Sequence, residues 1–304
     1  MPKVAALGNA GIICPVVRPP PLGPPSPRCG LRALLIGAWC VAAVGACRPE
    51  PQGTRALAGG PADSLIPAGP LGDAIRRGRG LLVATRDSLP GHVGNKLRCV
   101  SCHLDEGRRE SGTWIGVFAH YPQYRPRSGT IETIEFRVND CFRRSMNGAA
   151  LDPAGRDMAD IVAYFAFLSR GVAVATPPPS TRLQQWAAFT ADTAAGARVF
   201  SAQCAACHGA RGEGALAGPP LWGPDSYNVG AGMARVRTAA EFIRRNMPFD
   251  KPGTLTDQQA FDVAAYVNAQ PRPDFRGKED DWPNGNPPPD VAYPTRAARQ
   301  QKSR

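Results

Sequence analysis

Four of the nine cysteines in this 304-residue chain stand in two matching settings, Cys99-Val-Ser-Cys102-His103 and Cys204-Ala-Ala-Cys207-His208. C-x-x-C-H is the spacing for covalent attachment of a c-type haem. The two thiols add across the two porphyrin vinyl groups, and the adjacent His becomes the proximal ligand of the iron. One such motif could also be a redox dithiol or half of a zinc site. Two of them, each followed by a candidate distal ligand at nearly the same distance, point to two covalently bound haem c groups.

Each iron has a further axial position, and the residue that fills it sets potential and reactivity. Met247 lies 39 residues after His208 and directly before Pro248. A neutral thioether there favours Fe(II) and raises the potential; the plainer reading of Met247 is a core methionine. Met233, in a Gly-rich loop, is a weaker candidate. In the first half, the equivalent spacing of 38 residues after His103 reaches Cys141. Of the nine cysteines, Cys14, Cys29 and Cys40 fall in the leading segment, Cys47 follows it, and four hold haems. Cys141 is left without a disulfide partner. An unpaired thiol in an oxidising compartment is either buried and inert or has a task. As a thiolate ligand it would stabilise Fe(III). Met146 is the rival ligand for that iron.

Cations crowd this cysteine in sequence: Arg125, Arg127, Arg137, Arg143 and Arg144. Guanidinium forks pair well with oxyanions. A thiolate can exchange with a sulfur substrate, and a partly desolvated arginine cluster would ease the approach of two dianions. The bland reading is that several of these arginines are solvated or pair with haem propionates. His92 and His120 read as loop residues, at most propionate partners.

The elements that must hold these residues can be outlined. Residues 71–85 carry apolar side chains at roughly helical spacing ahead of the first haem motif. Asp152-Pro153 reads as the start of a second amphipathic helix, with Met158, Ile161, Val162, Phe165 and Leu168 on one face. The outline repeats: residues 194–202 as a helix before Cys204, then Thr256 and Gln259 as a capping box opening a closing helix that stops before Pro271. This is an all-α chain of two tandem cytochrome c-type domains, 71–176 and 186–271, each a few helices around a covalent haem. A Pro-rich linker, 177–185, joins them. Residues 272–304 are rich in Pro and charge and read as a loosely wrapped or disordered tail.

Residues 1–47 read as an export signal. A Pro-rich stretch, which points to a start codon further along, precedes Arg28, Arg32 and the apolar run 31–46. That run ends Val44-Gly45-Ala46-Cys47, similar to the processing site of bacterial lipoproteins although Val44 stands where Leu is usual, so Cys47 is expected to carry lipid in the periplasm, with simple secretion as the alternative. Residues 48–70 read as a flexible tether. Net charge is +11, about +7 after the four basic residues of the signal are removed. That excess suits small anions or acidic redox partners. No dense basic run interleaved with aromatics speaks for nucleic acid.

The string Asn139-Asp140-Cys141-Phe-Arg-Arg-Ser145-Met146-Asn147-Gly148, set between two C-x-x-C-H motifs, resembles the dihaem thiosulfate dehydrogenase family over residues 71–269. The resemblance implies periplasmic coupling of two thiosulfates into tetrathionate, or the reverse, with an external redox partner such as a small cytochrome. It implies Cys141 as distal ligand of the catalytic haem, Arg137, Ser145 and, through a loop alignment, Arg127 as substrate-binding residues, and Met247 as ligand of the electron-transfer haem. Some members carry a Lys before that Met; here Asn246 stands there, which implies plain His/Met ligation. The alternatives are a dihaem electron carrier without catalysis and a haem subunit of a multi-protein sulfur-oxidising complex.

Overall fold

A computed structural model describes residues 59–174 and 188–302. The signal with Cys47, the first part of the tether and the linker 177–185 lie outside the described residues. No helix among the described residues is long and apolar enough to cross a membrane.

Six helices carry the architecture: α1 (Pro70–Val83), α2 (Ile134–Arg144), α3 (Arg156–Leu168), α4 (Thr193–Gln203), α5 (Val236–Asn246) and α6 (Asp257–Ala269). In the first half α1 crosses α3; in the second, α4 and α5 both pack on α6. Each half uses the same device at its crossing. A Cβ on Gly78 would lie 1.9 Å from the Asp160 carbonyl oxygen, and one on Gly196 would lie 2.1 Å from that of Asp262. Only glycine lets the two backbones approach so closely. Arg77 locks the first crossing with bonds to Asp157 at 2.5 Å and Asp160 at 2.6 Å.

The closing helices begin differently. Thr256 and Gln259 form the reciprocal capping box of α6. α3 starts at Arg156 rather than at Asp152-Pro153, because the Asp152 side chain accepts a bond from the Ala154 N–H and ends in a turn first.

α2 is amphipathic in an unusual sense. Ile134, Val138 and Phe142 recur every four residues and enter the first core. Arg137, Asp140, Cys141 and Arg144, with Ser145 as its C-cap, form the neighbouring stripe. Thr133 caps its N-terminus by accepting from the Phe136 N–H. Before it runs the one small sheet among the described residues, a hairpin of β1 (Gln123–Arg125) and β2 (Thr130–Glu132) with Arg125 opposite Thr130.

The halves are not separate bodies; the described residues fall in one compact unit. Tyr227, Ala231 and Ala234, from the loop before α5, belong to the first half's core. Asn95 donates to the carbonyls of both Ser145 and Ser226. Asn228 donates to the Arg143 carbonyl, and its own N–H bonds the Arg144 carbonyl.

Order also extends further at both ends than expected. Asp63, placed by sequence in the tether, pairs with Arg79 at 2.9 Å and Arg108 at 2.6 Å. The tail is not loose: Asp281, Trp282, Tyr293 and Thr295 are buried. An aromatic ring and a paired carboxylate give it enough to bury and bond.

Candidate active site

Both haem motifs are built alike. Cys99, Cys102, Cys204 and Cys207 form no disulfide, which leaves all four thiols for porphyrin attachment. Burial pushes the Cys99 and Cys102 thiols up to about 12. The His103 Nδ1–H donates to the Gly112 carbonyl at 2.5 Å, and the ring stacks on Trp114 with centroids 4.8 Å apart. His208 Nδ1–H donates to the Pro219 carbonyl at 2.8 Å. Burial pushes His103 down to about 4 and also lowers His208. A neutral imidazole tied at Nδ1 offers its Nε2 lone pair in a fixed direction, which is how a metal-ligating His is oriented. Thiols, imidazole and orienting carbonyl therefore fit a covalent haem in each half. His120 adds a buried Nδ1 without a hydrogen-bond partner, a candidate partner for a cofactor's polar edge.

Cys141 is brought to the first of these motifs. It lies within electrostatic reach of Cys99 and Cys102, and its neighbour Arg137 lies within reach of His103. Arg137 Nη1 sits 2.8 Å from the Cys141 sulfur. One turn of helix separates them, so α2 itself sets this pairing. The sulfur holds Arg137 above the usual guanidinium value, and Asp140 adds to that. Met146, the rival ligand, is buried in the first core. Met247 follows α5 directly, between that helix and the capping box of α6.

A cavity of about 310 Å³ opens beside Cys141. Arg127, Arg137, Cys141 and Ser145, the four residues expected at the substrate, all line it. Arg125 and Arg144 line it as well. Arg143 does not; it is exposed and lies over the Phe136 ring at 6.0 Å, because its position on α2 faces away. The hairpin turn delivers Arg127, which donates to the Gly230 carbonyl at 2.9 Å and lies 4.8 Å from the centre of the Trp282 ring.

Three contributions had no counterpart in the sequence reading. Arg235, the residue before α5, reaches the cavity from the second half. Trp282 walls it from the tail. Beneath them, Asp281 receives both Nη atoms of Arg144 at 2.8 Å and the Tyr293 hydroxyl at 2.5 Å. Arg144 also bonds Asp140 at 2.5 Å. Burial alone would push the Asp140 carboxyl up, but Arg144 and Arg137 outweigh it and hold that carboxyl below its usual range. The lone Trp among acidic residues of the tail was the available signal for packing there. Arg235 had none, since its partners are remote in sequence.

The comparisons agree with this layout. Residues 92–174 match the SoxA/TsdA cytochrome c domain, and residues 191–267 match cytochrome C oxidase, cbb3-type, subunit III. A thiosulfate dehydrogenase of Psychrobacter arcticus is 41% identical over 76% of this chain and 73% of its own length. One from Allochromatium vinosum is 41% identical over 80% of this chain and 94% of its own. Among solved structures, the thiosulfate dehydrogenase TsdBA of Marichromatium purpuratum in its as-isolated form superposes with a TM-score of 0.70 at 36% identity. The match covers 77% of this chain and 54% of that one.

Proposed function

The chain belongs to the thiosulfate dehydrogenase family, and on that premise we propose that it joins two thiosulfates into tetrathionate at Cys141, or splits tetrathionate in reverse. The observation that carries this is the contact of Arg137 with the Cys141 sulfur at 2.8 Å on the wall of an arginine-lined cavity. A sulfur nucleophile beside a guanidinium fork is what capture of a sulfur oxyanion requires.

Cys99, Cys102 and His103 would hold the first haem with Cys141 as distal ligand; Cys204, Cys207 and His208 would hold the second with Met247. The bound haems supply one-electron acceptance, so that two electrons can leave singly through the second haem to an external small cytochrome.

The chain's own residues do the rest. Arg137 and Ser145 orient one thiosulfate with its outer sulfur toward Cys141, and Arg127 supports the sulfonate. The Cys141 thiolate forms a sulfur–sulfur bond with that outer sulfur, and two electrons are released. A second thiosulfate then attacks the same outer sulfur, tetrathionate leaves, and the Cys141 thiolate is restored. The balance is two thiosulfates giving one tetrathionate and two electrons, with no proton moved. The arginines neutralise charge as dianions approach, in a site where preorganised donors act more strongly than in water.

The same reading places the protein in the periplasm, held to a membrane by lipid on Cys47. Anaerobic incubation of the holoprotein with thiosulfate and a ferric small cytochrome tests the function. We expect one tetrathionate for every two acceptors reduced. Thiosulfate-dependent reduction without tetrathionate would contradict it.

A further inference from the structure

We propose that Arg235, carried into the first half's cavity by the second half, anchors the subsite for the second thiosulfate. This rests on the coupling reaction proposed above and deepens it. The cavity's arginines are not equivalent. Arg144 is committed to Asp140 and Asp281. Arg127 is committed to the Gly230 carbonyl, with Asp281 at 3.6 Å. Arg137 donates from Nη1 to the Cys141 sulfur and so belongs to the first thiosulfate's side of the cavity. Arg235 differs: its Nε is buried and has no hydrogen-bond partner, and among the described residues no carboxylate lies within ion-pair distance of it.

Its surroundings are unfavourable for a cation. Burial opposes its charge most; Asp290 and Tyr293 favour the charge from beyond contact, Arg125 and Arg137 repel it, and the balance stays against the cation. A buried donor left unmade and a desolvated charge left unpaired both cost free energy. A dianion in the cavity removes both costs together. That anion need not be the one beside Cys141, which Arg137 and Ser145 already serve from α2. Coupling needs a second dianion whose outer sulfur meets the first. Arg235 enters from the other half of the molecule, with Arg125, 3.8 Å from the Glu132 carboxylate, within electrostatic reach of it. The product has a sulfonate at each end, so tetrathionate would span from the Arg137 side to Arg235.

The consequence is specific. The second half would complete the binding site as well as carry a haem. Arg235→Gln in the full holoprotein should leave the haem absorption spectrum unchanged. It should raise the thiosulfate concentration for half-maximal rate about tenfold, the usual effect of losing one charge-assisted bond. Capture of one thiosulfate on Cys141 should persist, so the adduct should accumulate by mass spectrometry while tetrathionate release slows. Wild-type dependence on thiosulfate in this variant would overturn the proposal. Should Arg235→Gln fail to hold both haems, Arg235→Lys decides: it keeps charge but loses the fork, and an unchanged half-saturation would overturn the proposal equally. Equilibrium dialysis of tetrathionate against oxidised wild type and variant separates this from the reaction itself. If wild type forms no tetrathionate yet binds it about tenfold more tightly than the variant, the coupling reading fails and the Arg235 subsite stands. Equal binding would remove the subsite whatever the activity.

Discussion

At the scale of single residues, the account depends on Cys141 and Arg137 sitting one helical turn apart on the cavity side of α2. Replacing Cys141 by Gly or Met should abolish turnover while both haems still attach, since Cys99, Cys102, Cys204 and Cys207 are untouched. Haem content by absorption and activity on the same sample check this, and near-wild-type turnover would sink the mechanism. Arg137→Gln removes the cation beside the sulfur but keeps a donor. Its half-saturation for thiosulfate should rise tenfold or more, as expected when a charge-assisted bond is lost. These residues could be read from the chain because Cys141 is the one cysteine left over after the haem sites and the leader are assigned. Ser145 and Arg137 came as substrate-binding residues only through the family resemblance. Arg143 falls to the solvated reading, since sequence proximity does not say which side of a helix a residue faces; only the register of Ile134, Val138 and Phe142 does.

At the scale of elements, the crossings at Gly78 and Gly196 set how each N-terminal helix meets its closing helix. Gly78→Ala would put a methyl inside the Asp160 carbonyl's contact distance and force α1 from α3. Overpacking of this kind costs about 1–3 kcal/mol. Melting of the holoprotein should shift down by several degrees, whereas Gly80→Ala, with open space around it, should not. The helices ahead of each haem motif and the closing helices were legible from periodicity and from the Thr256–Gln259 box. α2 was not, because its second stripe is charged and so dilutes the apolar period. α3 was extended too far back because Asp152 caps a turn as readily as a helix. An ion pair at the α2 terminus adds a pH signature. Asp140 is held below the usual carboxylate range, so its pairing stabilises the fold above that range and is lost as pH falls through the lowered value. Melting temperature should therefore fall below roughly pH 4, and Asp140→Asn should flatten that acid limb while lowering stability at neutral pH.

At the scale of the whole molecule, the tail and the loop before α5 convert two haem-binding halves into one site. Asp281 lies beneath the cavity with its side chain 7% exposed and Arg144 at 10%. Removing one partner of a buried pair costs about 3–5 kcal/mol, so Asp281→Ala should destabilise the fold by that order and loosen Arg127 and Tyr293 as well. Chemical denaturation of the holoprotein measures it; a loss below 1 kcal/mol would show that the tail is only loosely attached. This layer was the least legible in sequence. Its contacts join Arg144 to Asp281, Asn95 to Ser226 and Arg127 to Gly230, all more than 80 residues apart, and no local pattern encodes such pairings. What the whole molecule then presents is a cationic pocket at a haem motif, closed from two other segments, with a sulfur at its wall. The proposed function stands on this sulfur being the distal ligand of the first haem and the reacting group. Low-temperature EPR of the oxidised holoprotein tests it most directly, with Cys141→Met measured beside it. The wild type should show one low-spin ferric signal of the narrow-spread thiolate type and one His/Met signal, with the thiolate signal absent from the variant. Two His/Met signals in the wild type, unchanged by the substitution, would contradict it.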